Sequence, residues 1–218
     1  MNKTDLPISF YHAKTSGKSR GGLILCPEIF GVHPDIRKLA DQYASSGFEV
    51  IAPAFFDRVE KDVELDYKTG MQKGMEIVGK LGWERPVADV GLCARYFTEK
   101  LGQKSVGVLG YCWGGSLAWF AACRLPKGRL QAAVCYYGSQ IYNNRDEKPT
   151  CPGIFHFGEK DGHIKAEQVQ ALRVAHPELT VYTYDAGHGF ASESKADYNA
   201  AAARLSAERS GQFMIKAL

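Results

Sequence analysis

The segment GYCWGG, residues 110–115, places a cysteine between glycines directly after the apolar run KSVGVL. A glycine–x–nucleophile–x–glycine pattern is typical of a sharp strand-to-helix turn that holds one side chain in a cleft. Glycines two residues before and after Cys112 avoid the collisions that side chains would make there. The N–H groups at the start of the following helix would favour a thiolate and a nearby oxyanion. Cys112 is therefore the candidate nucleophile, and the alternative is a buried structural cysteine.

A nucleophilic thiol needs a base, and His188 is the candidate among the six histidines. It lies in DAGHGF, after the last predicted strand, where flanking glycines let the loop approach a reactive centre. His163, near Asp161, is the competitor. His156 falls within a predicted strand and is expected in the sheet, and His176 ends a predicted helix and is expected in solvent.

The base in turn needs an orienting acid, and Asp161 in GEKDG follows a predicted strand end. Glu159 is the alternative acid. The alternative role for Asp161 itself is that of a turn or N-cap residue. The order Cys112, Asp161, His188 is the order of nucleophile, acid and histidine in α/β-hydrolases.

Glu28 is a further carboxylate directly after a predicted central strand, in CPEIFGV. Its apolar neighbours Pro27, Ile29 and Phe30 indicate that it points into a lined cleft rather than into solvent. Asp57 also follows a predicted strand, so the strand ends as a group are rich in side chains that can do chemistry.

The elements that must position these side chains alternate along the chain. Strands are predicted over 7–13, 21–27, 48–56, 104–111, 130–138, 151–161 and 179–187. Helices are predicted from Asp35 to a stop at Gly47, and over 64–82, 86–100, 116–123, 165–176 and 195–217. The alternation predicts an α/β fold with a mainly parallel central sheet and helices on both faces. Ligands of such sheets bind outside the carboxyl ends of the strands.

The composition excludes several classes of function. The chain has 218 residues, of which 45% are hydrophobic, with a formal net charge of +3 and dispersed basic residues. Nucleic acid is therefore not the expected partner. No secretory signal and no membrane-spanning stretch is apparent, and six cysteines without a C-x-x-C pair favour reduced thiols over zinc or disulfides. A cytoplasmic protein is expected.

Four motifs, PEIFGV, GYCWGG, GEKDG and AGHGF, together resemble the dienelactone hydrolases, or carboxymethylenebutenolidases, in the order of that family. The resemblance runs from about residue 7 to 217. It implies one α/β-hydrolase domain over 1–218, a monomer, a small-molecule ester or lactone substrate and no cofactor or metal.

The resemblance also implies roles for particular residues. Cys112, His188 and Asp161 would form a Cys–His–Asp triad that works through an acyl-enzyme. Glu28 would interact with the thiol in the resting enzyme and help to generate the thiolate. The backbone N–H groups of Ile29 and Trp113 would form the oxyanion hole.

Two departures concern the substrate. Dienelactone-specific members hold the substrate carboxylate with two arginines; one position is Ser192 here and the other falls near Val63, with no arginine from 59 to 84. Lys68 is a weaker substitute, because it lacks the bidentate geometry of arginine. We therefore expect the natural substrate to differ from dienelactone. Tyr67, Tyr111 and Trp113 either line an aromatic pocket or pack in the core.

Two other functions remain compatible with the same residues. A thioesterase or general esterase would use the same triad on a different leaving group. A thiol redox sensor would oxidise Cys112 instead of acylating it, with Cys123 as a partner if it lies close in space.

Overall fold

The computed structural model describes residues 6–218 and contains a seven-stranded sheet with the order β1-β3-β2-β4-β5-β6-β7. The strands are β1 Phe10–Ala13, β2 Gly22–Cys26, β3 Glu49–Pro53, β4 Val106–Tyr111, β5 Ala132–Tyr136, β6 Gly153–Gly158 and β7 Thr180–Tyr184. Strand β1 is antiparallel to β3, and every other pairing is parallel. The mainly parallel sheet expected from the sequence is confirmed.

Helices cover this sheet and join its strands. They are α1 Pro34–Ser45, α2 Met71–Leu81, α3 Glu84–Glu99, α4 Trp113–Arg124, α5 Ala166–Ala175 and α6 Ala200–Ala217, with short 3₁₀ turns at Phe55–Arg58 and Tyr142–Asn144. Helix α1 packs on β1 and β3, and α6 packs on β5 and β6. Helices α3 and α4 pack against each other and against β2 and β4.

The core lies at the centre of the sheet. Every residue of β2, β4 and β5 is buried, as expected for parallel strands with helices on both faces. Because they run parallel, β2, β4, β6 and β7 all end at the same edge of the sheet, and the loops that follow them lie at that edge. Among residues 6–218, no helix combines the length and the apolar character needed to cross a bilayer.

Two helices begin well after their predicted starts, whereas α4 begins at Trp113, ahead of the predicted Ser116. Residues 64–70 are not helical, and α2 begins only at Met71. The Asp66 carboxylate accepts from the backbone N–H groups of Lys68 and Thr69, at 2.8 and 3.2 Å, which closes a local turn in place of a helical one. The closing helix begins at Ala200 rather than near 195, because the Asn199 side chain caps it by accepting from the N–H of Ala202.

Candidate active site

Cys112 occupies the sharp turn between β4 and α4. Its φ is 54°, in the left-handed region that few non-glycine residues adopt. A Cβ at Gly110 would lie 1.9 Å from the carbonyl oxygen of Gly114, and a Cβ at Gly114 would lie 2.2 Å from that of Cys26. Both positions therefore require glycine, and the turn presents a partly exposed thiol at the carboxyl edge of the sheet.

The structure brings the three predicted triad residues into one hydrogen-bonded row. His188 Nε2 lies 3.2 Å from Cys112 Sγ, and His188 Nδ1 lies 2.8 Å from Asp161 Oδ2. The other oxygen of Asp161 accepts from the backbone N–H groups of His163 and Ile164, at 2.7 and 3.1 Å. These bonds fix the carboxylate, which in turn fixes the imidazole ring.

The electrostatics of this row favour a charged histidine. Burial opposes protonation of His188, but its hydrogen bonds to Asp161 and Cys112 outweigh burial and raise its pKa to about 10. Burial likewise works against the Asp161 carboxylate, yet His188 and the two backbone donors hold the pKa of Asp161 below its usual value. A protonated imidazole beside the sulfur stabilises a thiolate.

Glu28 is fully buried beside the triad, as its apolar neighbours predict, but its partners are not the expected ones. One oxygen accepts from Tyr67 at 2.9 Å, and the other from Lys195 Nζ at 2.7 Å and from Ser192 at 3.3 Å. None of the hydrogen bonds in the described chain joins Glu28 to Cys112, whose thiol faces His188 instead. In this conformation the expected resting contact between carboxylate and thiol is not formed.

The Glu28 contacts involve two residues that sequence reasoning missed. Lys195 lies seven residues after His188 in the same loop, and its Nζ also lies 5.2 Å from the centre of the Tyr67 ring. His33 Nε2 lies 2.9 Å from the Tyr67 hydroxyl, while His33 Nδ1 accepts from the N–H of Asp35 at the start of α1. Because Nδ1 is the acceptor, the Nε2 proton points at Tyr67, whose own proton points at Glu28. The only sequence signals were the position of His33 before Pro34 and the position of Lys195 as the first basic residue after AGHGF.

The two aromatic candidates near the turn lie in different environments. Trp113 is buried, and its ring stacks on Trp83 with a centroid distance of 5.6 Å. Tyr111 stacks on Tyr136 at 4.4 Å and lines a cavity of about 240 Å³ that also borders Ser192.

The oxyanion-hole candidates lie at the expected edge of the sheet. Trp113 is the first residue of α4, so its N–H has no acceptor within the helix. Ile29 lies in the loop after β2, and no hydrogen bond among residues 6–218 uses its N–H.

Several other candidates lie outside this constellation. Lys68 is exposed, and Asp57 accepts from the N–H and hydroxyl of Ser9 at 2.8 and 2.6 Å. His163 is exposed, although the centre of its ring lies 5.0 Å from the centre of the His188 ring, with the two rings nearly perpendicular.

The two remaining histidine predictions have opposite outcomes. His156 is confirmed as a buried sheet residue, bonded to Tyr184 and Ser210. The prediction for His176 was wrong: it is buried, because its two ring nitrogens bond the Glu178 carboxylate and the Arg145 carbonyl. The end of a helix is therefore not a sufficient sign of exposure.

Within residues 6–218 no group of His, Cys, Asp and Glu side chains has metal-binding geometry, and all six cysteines are free thiols.

Comparisons with known proteins identify the family of this chain. The family model described as the dienelactone hydrolase family matches residues 8–218. The carboxymethylenebutenolidase of Pseudomonas sp. (strain P51) is 31% identical over 209 residues, covering 91% of this chain and 86% of the relative. That of Pseudomonas putida is 30% identical over 201 residues, covering 88% and 84%.

Solved structures share the architecture. A crystal structure from Klebsiella pneumoniae subsp. pneumoniae MGH 78578, assigned as a dienelactone hydrolase, has a TM-score of 0.83 and 26% identity, and the match covers 94% of this chain and 91% of that one. A dienelactone hydrolase-like promiscuous phosphotriesterase from metagenomic libraries, with a TM-score of 0.73, 15% identity and coverage of 96% and 98%, shows the fold alone. The chain belongs to the dienelactone hydrolase family of the α/β-hydrolases and is a carboxylic ester hydrolase.

Proposed function

We propose that this chain hydrolyses esters or lactones through a covalent thioester on Cys112. The observation that carries the proposal is the unbroken row from Cys112 Sγ through His188 to the buried Asp161 carboxylate. A nucleophile, a base within hydrogen-bond reach and a group that orients the base are the three parts that covalent catalysis needs.

The reaction proceeds in two halves. The Cys112 thiolate attacks the carbonyl carbon, and the resulting oxyanion is held by the N–H groups of Ile29 and Trp113, each worth about 3 kcal/mol in comparable sites. The tetrahedral intermediate collapses as its C–O bond breaks, and His188 gives its proton to the leaving oxygen. A water molecule, deprotonated by His188, then attacks the thioester and releases the acid and the thiolate. Asp161 holds the imidazole throughout.

Glu28 has a supporting role in this proposal. Its carboxylate is held by Tyr67 and Lys195, away from the sulfur, so it does not compete with His188 for the thiol proton in the conformation described here. A substrate that displaces Glu28 from these donors would free its carboxylate to accept the thiol proton, and this proton transfer is how Glu28 would assist thiolate formation.

The natural substrate is proposed to be an ester or lactone other than dienelactone. Ser192 is buried and offers a hydroxyl where dienelactone-specific members have an arginine, and the exposed Lys68 does not replace the second arginine. Lys195 is the one lysine or arginine among residues 6–218 that forms an ion pair with Glu28, and the Glu28 carboxylate already neutralises its charge. A neutral acyl group fits this charge balance better than a carboxylate.

The distance between thiols argues against the redox alternative. Cys112 precedes α4 and Cys123 lies near its far end, eleven residues later. At 1.5 Å per helical residue the two are roughly 16 Å apart, well beyond the reach of a disulfide.

Intact-protein mass spectrometry during turnover tests the proposal, using a panel of small esters, lactones and thioesters. The wild-type protein should show an acyl adduct, and Cys112→Ala should show neither adduct nor turnover while keeping the same circular dichroism. Cys123→Ser is the matched control and should keep full activity, because burial raises the pKa of the Cys123 thiol and leaves it unreactive. An active Cys112→Ala protein would refute the mechanism, and the order of rates on the panel would define the leaving group.

A further inference from the structure

The cavity of about 240 Å³ that Tyr111 lines lies between α1 and α6, beside the loop that follows His188. None of the residues that line it belongs to the triad or to the proposed oxyanion hole. Ser192 is the one lining residue that bonds Glu28. The cavity is therefore separate from the reaction centre at Cys112.

The shape of the cavity suits one aromatic ring. Three alanines of α6, spaced three and four residues apart, lie on the helix face that borders it and leave the space open: Ala200, Ala203 and Ala207. Tyr111 and Tyr136 form its inner wall, with their rings stacked at a centroid distance of 4.4 Å. An apolar cavity of roughly 150 Å³ is large enough for benzene, so this larger one accepts a ring with small substituents. Aromatic walls favour an aromatic guest.

Tyr111 supplies a hydrogen-bonding group at the inner end. The residue is only 2% exposed, so the small part of it that solvent reaches lies in the cavity wall. No hydrogen bond of normal geometry among residues 6–218 uses its hydroxyl, and the neighbouring Tyr43 hydroxyl is also buried without a partner. Burial raises the pKa of Tyr111 well above its ordinary value, so the phenol stays neutral. Since most buried hydroxyls are paired, an oxygen of a ligand would satisfy this one.

Arg204 supplies a positive charge at the outer end. It is exposed, it lines the cavity, and within residues 6–218 it has no ion pair or hydrogen bond. The other charged lining residues have partners: Lys38 pairs with Glu193, and Asp35 accepts from the Ser194 hydroxyl at 2.9 Å. A guanidinium group binds a carboxylate through two parallel hydrogen bonds. The free cation at the mouth of the cavity therefore favours a carboxylate over a neutral or cationic group.

We propose that this cavity is a second ligand site, which binds a small aromatic carboxylic acid apart from the ester or lactone at Cys112. The carboxylate lies against Arg204 and the ring against Tyr111 and the alanines of α6. An oxygen on the ring opposite the carboxylate accepts from the Tyr111 hydroxyl. The binding is reversible and involves no covalent step, so it does not depend on the cysteine mechanism.

Isothermal titration of the full chain with benzoate and 4-hydroxybenzoate tests the proposal. We expect benzoate to bind with a Kd on the order of 1 mM. 4-Hydroxybenzoate should bind about fivefold more tightly, because its ring oxygen gains one hydrogen bond. Tyr111→Phe should remove that difference between the two acids, and Arg204→Gln should weaken both about fivefold or more.

Two alanine-to-leucine variants of α6 locate the binding. Ala203→Leu fills the cavity and should weaken both acids about tenfold or more. Ala201→Leu, at an exposed position that does not line the cavity, is the matched control and should bind as the wild-type protein does. Both variants should keep ester turnover, because neither residue touches the triad.

Three results would overturn the proposal. The first is no detectable binding of either acid to the wild-type protein. The second is equal binding by Ala203→Leu and Ala201→Leu, which would place the acids elsewhere. The third is loss of binding after the Cys112 thiol has been alkylated with N-ethylmaleimide, since a bulky adduct on Cys112 blocks the reaction centre and should leave the cavity free. Turnover by Cys112→Ala would refute the cysteine mechanism without bearing on any of these results.

Discussion

Replacing Lys195 by methionine is the sharpest test of how the site holds a buried negative charge. Glu28 is completely buried, and the Lys195 side chain is only 14% exposed. The substitution keeps most of the apolar stem of the side chain and removes the ammonium group. Tyr67 and Ser192 would still donate to the carboxylate, but neither carries a positive charge.

The magnitude follows from the geometry of the pair. Two unit charges 2.7 Å apart attract by about 6 kcal/mol at the effective dielectric constant of about 20 that suits protein sites. Breaking a buried ion pair by removing one partner costs about 3–5 kcal/mol in practice, because the remaining charge stays desolvated. We expect the free energy of unfolding of Lys195→Met to be about 3 kcal/mol lower than that of the wild-type protein. This is the low end of the range, because the Tyr67 and Ser192 hydroxyl groups still donate to the carboxylate.

Urea unfolding at pH 7, followed by circular dichroism, measures this loss, and Lys38→Met is the matched control. Lys38 pairs with Glu193 on the surface, where both side chains are about half exposed. A solvent-exposed pair contributes little to stability. The same lysine-to-methionine change at residue 38 should therefore leave the urea midpoint almost unchanged.

The double variant Lys195→Met/Glu28→Gln decides whether the lost stability comes from the unpaired carboxylate. Removing the negative charge as well should recover most of the loss, because the oxygen of the neutral amide can still accept from Tyr67 while its NH2 group donates to the Ser192 hydroxyl. The reasoning would be refuted if Lys195→Met were as stable as the wild-type protein, or if the double variant were no more stable than Lys195→Met.

Two further predictions concern the oxyanion loop and the triad. Gly74→Ala should reduce kcat several-fold, because its Cβ would lie 2.2 Å from the carbonyl oxygen of Ile29 and displace the loop. Gly79→Ala, on the same helix, is the control: its Cβ meets nothing within 4 Å, so kcat should be unchanged. Steady-state kinetics measure both variants, and equal kcat values for the two would contradict the prediction. Because the His188 pKa is raised from 6.5 to about 10, its stabilising contribution is complete below about pH 6.5 and disappears as the pH rises through 10. Asp161→Asn should therefore lose most stability near pH 6 and approach the wild-type protein near pH 10, and a pH-independent difference in urea unfolding would show that the pair does not stabilise the fold.

The residue types that carry the chemistry could be predicted from the sequence, because each follows a short, strongly patterned element. Strands rich in apolar residues alternate with helices whose buried positions recur every three or four residues, as Ile36, Ala40, Tyr43 and Ala44 do in α1. That pattern alone predicts a parallel sheet with all its strand ends on one edge. Cys112 and its flanking glycines could be identified because the turn imposes local steric limits.

The contacts of Glu28 could not be predicted in the same way. Lys195 is 167 residues away from Glu28 in the chain, and its predicted place was the first turn of a helix. The local turn at Asp66, not helical periodicity, places Tyr67 beside the carboxylate. Such contacts depend on where loops from distant parts of the chain come together, and no local pattern records that.

The sequence by itself determined the fold class, the order of the candidate catalytic residues and the edge of the sheet where they meet, since these depend on local periodicity and on steric limits at single turns. Only the tertiary structure decided which charges neutralise each other and which hydroxyls have no partner. The Tyr137 hydroxyl shows the difference: tyrosine is an ordinary residue at the end of a strand, and only the packing of His188 and Phe190 around it buries a donor without an acceptor. Hydrogen-bond satisfaction is a property of the packed whole, because a donor and its acceptor need only be neighbours in space.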